Sequence, residues 1–398
     1  MSARPRITDE QRRARLLHRH RLSAAHRGSS PIDVADAVVG LHATTPSTVY
    51  LSMWARLDDF TPAHLDADLY ENRTLVRQLA MRRTMFVVSR PVLAEAVGAV
   101  GPRVAASERT NMLRDLRRSP DFPDPEGWID AARTAVITDL ADGAMRSSAE
   151  LRQRLPQLEG HVEMYPGKSW GGRSPMGPRV LHMMSAAGDI VRGPNVAGWH
   201  LSRPQWALMS RWLGHGLRPV SIEDGHRAMV RRWLRAFGPG TETDLVWWLG
   251  STKSAVRAAL RALDVVEVTL DRGETGYVLP DDLEPNDLEP GEPAAGTAFL
   301  LPELDPTTMG WKERSFYLGE HAEHLFDRNG NGGQTAWADG RIVGGWRQNR
   351  DDGSISVHPM EKLPNQVSRA LDDEAQRLAQ WLGDVRPSPG YPAPFMRY

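Results

Sequence analysis

The sequence predicts an α+β protein made of tandem winged-helix domains and a carboxyl-terminal α/β unit. First, helices followed by a short β-hairpin, the winged-helix order, occur three times along the chain. Second, near residue 296 the pattern changes to several short strands closed by an amphipathic helix. Third, 398 residues with 40% hydrophobic side chains suffice for roughly two to four cores. We place the first winged-helix domain and its basic amino-terminal helix at 1–120, the second domain at 121–215, the third with an acidic linker at 216–295, and the last unit at 296–398.

The first unit begins with an exposed basic helix predicted over Ile7–Leu22. A second helix starts at Pro31, because Ser30 can cap it and proline suits the first helical position. The segment from His42 to Pro46 interrupts the pattern, and Pro46 starts a third helix. A helix near Pro62–Tyr70 and two strands at Val76–Met81 and Thr84–Ser89 complete the predicted unit.

The second and third units repeat this order without a close sequence repeat. In the second unit Ser147 starts a helix, which a glycine-rich loop follows. Its remaining predicted elements are a helix at Arg179–Ala187 and strands at Ile190–Arg192 and Trp199–Leu201. In the third unit Thr241 caps a helix that ends at Gly250. A helix at Thr252–Leu263 and a hairpin of Val265–Leu270 with Tyr277–Leu279 follow.

The carboxyl-terminal unit follows the acidic, proline-containing segment Asp281–Pro293, which we predict to be a surface linker. Asp339-Gly340 between two apolar runs is typical of a two-residue hairpin turn. The predicted strands are Thr297–Leu301, Thr335–Ala338, Ile342–Trp346 and Ile355–His358, and the predicted helices are Glu320–Phe326 and Gln366–Leu382.

Composition excludes several classes of protein. The chain has no cysteine, which excludes a disulfide scaffold, a thiolate metal site and a cysteine nucleophile. No apolar run approaches the ~20 residues that cross a bilayer, and the arginine-rich start lacks the apolar core of a secretory signal. We therefore expect a cytoplasmic protein, associated with the nucleoid if it binds DNA.

The basic residues suggest a nucleic-acid face although the net charge is only −1. Lysine occurs at four positions only, so almost all of the 49 basic residues are arginine. Arginine suits bidentate contacts to phosphate and guanine, but a GC-rich genome also favours arginine codons. A basic amino-terminal segment and an acidic strip at 281–293 together favour a protein with one nucleic-acid-binding face.

Two segments are candidates for function. Arg82-Arg83 lies at the predicted hairpin turn, where arginines of a wing can grip phosphate; the alternative is a merely solvated turn. His42-Ala43-Thr44 lies between two helices, and in an extended linker His42 and Thr44 point the same way. We expect the preceding helix end to raise the pKa of His42 and the following helix start to attract an anion. Alternatively, His42 is a capping cation and Thr44 a turn residue.

Two other motifs are weaker candidates for a functional site. Gly167-Lys168-Ser169 is not a phosphate loop, because position 162 is valine where that motif has glycine. His321 and His324 are one helical turn apart, but two ligands on an exposed helix are more often a solvated face. We therefore expect no metal site.

The segment from Gly40 to Thr44, with Pro46 and Trp54-Ala55-Arg56-Leu57, resembles the catalytic stretch of a known family, the winged-helix alkylpurine DNA glycosylases. That family includes enzymes that unhook interstrand crosslinks and enzymes that protect producers of azinomycin-like genotoxins. Further similar segments are Arg83 to Val88, Phe237-Gly238-Pro239 through Asp244, Trp247-Trp248, Leu301-Pro302, Asp305-Pro306, Asn329-Gly330, Asp339-Gly340-Arg341 and Trp346-Arg347.

The resemblance implies tandem winged helices in a C shape around double-stranded, alkylated or crosslinked DNA, with no metal or organic cofactor. It implies a monofunctional glycosylase that hydrolyses the N-glycosidic bond of N7-alkylated purines, in genotoxin self-resistance or crosslink repair. The family's catalytic motif is glutamine, any residue, then glutamine or aspartate. In this sequence its first and third positions are occupied by His42 and Thr44. A protonated His42 would oppose the reaction, so the rate is expected to rise with pH.

The alternative is a non-catalytic DNA binder, a regulator or damage-shielding factor. The expected DNA contacts are Arg82, Arg83, Arg12, Arg13, Arg56, Lys253 and Arg257.

Overall fold

The structure is a computed structural model that describes residues 4–165, 167–169, 171–283 and 297–397. Most of the predicted acidic linker, residues 284–293, lies outside the described residues. Helices and strands alternate throughout, which confirms the predicted α+β class. Within the described ranges no helix combines the length and apolar character needed to span a bilayer.

The amino-terminal half is built on a six-stranded sheet. Its strands are β1 (Leu41–His42), β2 (Leu75–Leu79), β3 (Met85–Ser89), β4 (Arg146–Ser147), β7 (Ile190–Asn195) and β8 (Pro204–Leu208), in the order β1-β3-β2-β7-β8-β4. The hairpin β2–β3 confirms the two strands predicted around Arg82-Arg83. The sheet continues from β2 to β7 through the pair Arg77 and Arg192, so it crosses the predicted boundary between residues 120 and 121. The first two predicted domains therefore share one sheet.

The same half of the chain also contains helices, several of which pack on this sheet. They are α1 (Asp9–Arg19), α2 (Pro31–Ala37), α3 (Pro46–Trp54), α4 (Pro62–Asp66), α5 (Arg90–Leu116), α6 (Pro125–Asp139), α7 (Ser148–Arg154), α8 (Gly177–Ala187) and α9 (Met209–Leu213). The predicted helix starts are confirmed at α2, where the Ser30 hydroxyl accepts from the Asp33 N–H at 3.2 Å, and at α7, which Ser147 caps. A second small hairpin is formed by β5 (His161–Met164) and β6 (Gly172–Pro175), and β6 falls within the stretch from Gly167 to Gly177 that was predicted to be a glycine-rich loop.

Two predictions for this half are wrong. The first helix is not exposed: its Arg12, Arg15, Leu16 and Leu17 are buried, because the helix packs against the carboxyl-terminal half. The strand predicted at Trp199–Leu201 lies instead at β8, because Trp199 leaves the sheet and packs on Tyr50, with ring centroids 4.9 Å apart.

The third predicted unit is present as α10 (Ile222–Phe237), α11 (Glu242–Leu249), α12 (Lys253–Ala262), β9 (Val266–Thr269) and β10 (Thr275–Val278). Thr241 caps α11 and Gly250 ends it in the left-handed conformation at φ 62°, both as predicted. The hairpin β9–β10 also confirms the prediction. The amino terminus joins this unit, since Ile7 is buried with Val268 and Leu270.

The carboxyl-terminal unit is a four-stranded antiparallel sheet with three helices. Its elements are β11 (Ala298–Leu301), α13 (Ser315–Leu318), α14 (Ala322–Leu325), β12 (Thr335–Ala338), β13 (Arg341–Gln348), β14 (Ile355–Pro359) and α15 (Asn365–Leu382). The predicted strands and closing helix are confirmed, and Asp339-Gly340 forms the turn with φ of 48° and 76°. The segment around Asp305, which follows β11, is bonded to α3 through the Ser52 hydroxyl at 2.6 Å.

Candidate active site and nucleic-acid interface

The loop from Leu41 to Pro46 is fixed in an extended conformation. β1 pairs with β3 through His42 and Phe86, and the Ala43 N–H donates to the Met85 carbonyl at 2.8 Å. The Ala43 carbonyl accepts from Arg77 Nη2 at 2.7 Å. Leu41 and Ala43 are 0% exposed, so they pack into the core. Alternation along an extended backbone therefore puts the side chains of His42 and Thr44 on the other face.

His42 is held as a neutral imidazole. Its ring is 2% exposed and packs on Phe86 with centroids 4.3 Å apart. Arg82 Nη2 lies 2.8 Å from Nε2, and because a guanidinium has only donors, Nε2 must accept this hydrogen bond. The proton of the neutral ring therefore sits on Nδ1. Among the described residues neither Nδ1 of His42 nor Oγ1 of Thr44 has a hydrogen-bond partner.

The expected rise in the pKa of His42 is wrong. Burial first, and then the positive charge of Arg82, lower the pKa of His42 well below its ordinary value. The helix preceding it, α2, ends at Ala37, so the end of that helix is too far along the chain to act on the ring. His42 consequently carries no charge at neutral pH.

Arg82 was predicted to face DNA from the hairpin turn, but its side chain points inward. Arg82 and Arg83 have φ of 53° and 61°, and this left-handed turn directs the Arg82 guanidinium to His42 and over Trp247, 4.2 Å from the ring centroid. Burial and the charge of Arg314 lower the pKa of Arg82 to about 10. A left-handed backbone at two non-glycine residues is strained, and these contacts hold it. Arg83 is exposed and lies 3.4 Å from Glu108.

Arg77 and Arg82 contact this loop, and neither makes a salt bridge with a carboxylate in the described structure. The same holds for two partly buried arginines of neighbouring elements, Arg192 and Arg314. Arg192 lies 4.1 Å over the ring of Trp206, and burial together with the charge of Arg77 lowers the pKa of Arg192 to about 9. Unpaired buried guanidinium groups are costly, because each loses hydration without a compensating charge. An anion such as a DNA phosphate would relieve that cost.

Buried polar side chains that the sequence did not indicate lie near the same loop. Arg77 donates to the Ala43 carbonyl at 2.7 Å, and the Tyr50 hydroxyl donates to Asp66 at 2.6 Å. Burial raises the pKa of Asp66, Tyr50 and Tyr70. These residues are far apart in sequence and share no motif, so only the fold brings them together.

The remaining predicted DNA contacts divide into two groups. Arg56 is 0% exposed and bonded to Asp305 at 2.7 Å, and Arg12 is 8% exposed with its guanidinium 3.6 Å over Phe316. Both predictions are wrong, because these arginines join parts of the core and cannot reach DNA. Arg13 is likewise engaged, donating to the Phe316 carbonyl at 2.8 Å.

Lys253 and Arg257 are exposed on α12, where Arg257 pairs with Glu242 at 2.6 Å. The turn before α12 contacts Arg82, since a Cβ on Gly250 would lie 3.0 Å from the Arg82 Cα. Lys253, at the start of α12, and Arg83 therefore lie on neighbouring surface segments.

His321 and His324 do not converge on a metal site. His321 Nε2 lies 3.4 Å from Glu361, and His324 Nε2 lies 3.4 Å from Glu323. Over the described part of the chain, no group of three or more His, Asp or Glu side chains is placed to hold a metal ion.

This fold, with its polar loop and unpaired arginines, has a clear parallel among known proteins. The family model described as DNA glycosylase AlkZ-like matches residues 35–381. The chain therefore belongs to the AlkZ-like family of DNA glycosylases, which are hydrolases of the N-glycosidic bond, and the predicted family is confirmed.

The solved structure of the Streptomyces sahachiroi DNA glycosylase AlkZ is similar over nearly its whole length. The match covers 96% of this chain and 98% of that one, with a TM-score of 0.72 and 20% sequence identity. At this identity the match shows a shared fold. No curated protein sequence matches the chain.

Proposed function

We propose that this chain hydrolyses the N-glycosidic bond of N7-alkylated purines in double-stranded DNA, with His42 and Thr44 at the reacting centre. The observation that carries the proposal is the pair of buried polar atoms, His42 Nδ1 and Thr44 Oγ1, left without protein partners on one face of a fixed loop. Buried polar groups are normally hydrogen-bonded, so unpaired ones on one face point to a ligand.

The reaction needs little acid catalysis from the protein. An N7-alkylated purine carries a positive charge, and breaking the C1′–N9 bond returns the electron pair to N9 and neutralises the ring. Water then adds to the oxocarbenium-like C1′ and releases a proton to solvent. The site must therefore position that water and avoid repelling the positive sugar.

His42 and Thr44 have complementary roles in holding this water. The Nδ1–H of His42 donates to one lone pair of the water, and Oγ1 of Thr44 accepts one of its hydrogens. The other lone pair is then free to attack C1′. Because burial and Arg82 lower the pKa of His42, the ring is neutral and does not repel the cation. Arg77 is a positioning residue, since it fixes the Ala43 carbonyl between the two side chains.

DNA is held, in this proposal, by tandem winged helices arranged in a C shape. The helix–helix–hairpin order of α11, α12, β9 and β10 supports a winged helix in the third unit. Arg83 and Lys253 would contact phosphates next to the damaged nucleotide, while Arg82 and Arg192 supply further positive charge. Alkylated or crosslinked DNA as the substrate would place the protein in genotoxin resistance or crosslink repair, at the nucleoid.

Base release from an N7-methylguanine duplex tests the proposal directly. The purified protein should release N7-methylguanine, detected by chromatography, and leave an abasic site. The matched undamaged duplex should release no base. Failure to release the base at saturating protein concentration contradicts the proposal.

One observation favours a second function, a non-catalytic DNA binder. Arg82 occupies His42 Nε2, so the ring offers no acceptor for a water proton. In that case the protein would bind damaged DNA as a shield or regulator. Replacing both His42 and Thr44 with glutamine separates the two functions. An inert wild type with an active double variant establishes the binder, whereas an active wild type establishes the enzyme.

A further inference from the structure

A cavity of about 310 Å³ lies between α3 and the carboxyl-terminal unit. Ser47 and Thr48, in the first turn of α3, line one side, and the proline-rich segment after α15 closes another. This size is within the range of small-ligand sites. None of the residues assigned to the proposed reaction lines the cavity.

Most of the polar side chains that line the cavity carry hydrogen-bond donors. Arg350 donates to the Ser388 hydroxyl at 3.2 Å, and Arg386 donates to the main-chain carbonyls of Gly383 and Val385. Neither arginine makes a salt bridge with a described carboxylate. The positive end of α3, a nine-residue helix, adds to the same potential.

The one acidic group of the lining is already used. Glu303 is 3% exposed, and its carboxylate accepts from the main-chain N–H groups of Gly390, at 2.8 Å, and Tyr391. These bonds attach the proline-rich segment to the rest of the unit. Among the described residues Glu303 makes no salt bridge with Arg350 or Arg386.

Gln334 supplies an independent sign of a ligand. It lines the cavity, is only 6% exposed, and its side-chain oxygen has no hydrogen-bond partner among the described residues. A buried amide left unpaired costs free energy that a bound donor or acceptor would recover. The rest of the wall is apolar and includes Leu51, Trp346, Leu382 and Met396.

We propose that this cavity binds a small amphipathic organic acid. Arg350 and Arg386 hold its carboxylate or phosphate group, and the side-chain N–H of Gln334 donates to the same group. The Gln334 oxygen accepts from any neighbouring donor of the ligand, and the apolar body of the ligand lies against Trp346 and Leu382. Guanidinium groups suit both kinds of anion, because their N–H groups pair with two oxygens at once. Binding here does not require the proposed glycosylase reaction.

Calorimetric titration of the whole protein with octanoate, octyl phosphate and uncharged octanamide tests this site. At least one of the two anions should bind, and octanamide should bind about ten-fold more weakly, the loss expected when a charge-assisted bond is removed. The preferred anion identifies the head group. No binding of either anion, or equal binding of octanamide, overturns the proposal.

Variants locate the binding. Arg350→Gln and Gln334→Leu should each weaken binding of the anion by about ten-fold. Arg350 is exposed, so its replacement leaves the fold intact. Arg347→Gln is the matched control, since Arg347, three residues earlier near the end of β13, is also exposed and is absent from the cavity lining. Binding that Arg350→Gln leaves unchanged, or that Arg347→Gln weakens equally, lies elsewhere and contradicts the proposal.

Discussion

Arg56→Ala should destabilise the protein strongly and leave DNA recognition to other residues. Arg56 and Asp305 are both 0% exposed, and the guanidinium donates to both carboxylate oxygens at 2.7 and 2.9 Å. It also donates to the carbonyls of His20 and Ser52. Removing one partner of a buried pair costs about 3–5 kcal/mol, because the remaining charge stays buried.

The lower end of that range is expected here. Asp305 keeps two donors in the variant, the Ser52 hydroxyl at 2.6 Å and the Thr307 N–H at 2.8 Å. A loss of about 3 kcal/mol is still a large part of the roughly 5–15 kcal/mol that stabilises a typical domain. Urea unfolding followed by tryptophan fluorescence should show a clearly lower midpoint.

Two further variants make the measurement decisive. Arg83→Ala, at an exposed arginine, should shift the unfolding free energy by no more than about 0.5 kcal/mol. Arg56→Met combined with Asp305→Leu should recover part of the stability, because no buried charge is left unpaired. This double variant should bind DNA as the wild type does. An unchanged midpoint together with weaker DNA binding in Arg56→Ala would refute the structural role.

Three other predictions follow from the charges. Arg83→Ala and Lys253→Ala should each weaken binding to DNA of any sequence and reduce the slope of log affinity against log salt concentration by about 0.9, as measured by fluorescence anisotropy. Unchanged slopes would show that other residues contact the phosphates. The rate of base release should stay flat through pH 6.5, because the pKa of His42 is already well below that value, and a rise with pH would contradict its neutral state. Burial lowers the pKa of His20 to about 3, so below pH 6.5 the unfolded chain takes up a proton at this residue before the folded protein does. The free energy of unfolding should therefore fall as the pH is lowered, by about 4 kcal/mol near pH 3. His20→Gln should lessen that dependence, as measured by urea unfolding at several pH values.

Local signals predicted much of the fold. Ser30 and Thr241 cap helices through bonds to residues three positions away, and Asp339-Gly340 needs only its own backbone preference. Such features form within a few residues, so the sequence shows them directly.

The longest helix was missed for a physical reason. α5 contains Gly98 and Gly101, which disfavour a helix when judged locally. Both glycines are needed where other elements approach, since a Cβ there would lie 2.5 Å from the Val220 carbonyl oxygen and 2.9 Å from that of Ala186. Those neighbours are known only once the chain is folded.

The candidate site was predictable as a segment and not as an arrangement. The helix starts on either side showed that His42 and Thr44 lie on a connecting loop. The inward turn of Arg82 depends on Trp247, and the burial of Arg56 depends on Asp305, which is 249 residues away. Charge type alone cannot distinguish an arginine that binds DNA from one that joins two parts of a core.

Single-turnover release of N7-methylguanine by His42→Ala tests the central claim most directly. At saturating protein, base release should slow at least about ten-fold, which is about 1.4 kcal/mol in the barrier, while DNA affinity stays nearly unchanged. Thr44→Ala should have a milder effect and Thr44→Ser should be close to wild type, since a hydroxyl remains. His324→Ala, at an exposed histidine outside the site, should match the wild type. Equal rates for His42→Ala and the wild type would show that the reacting centre lies elsewhere.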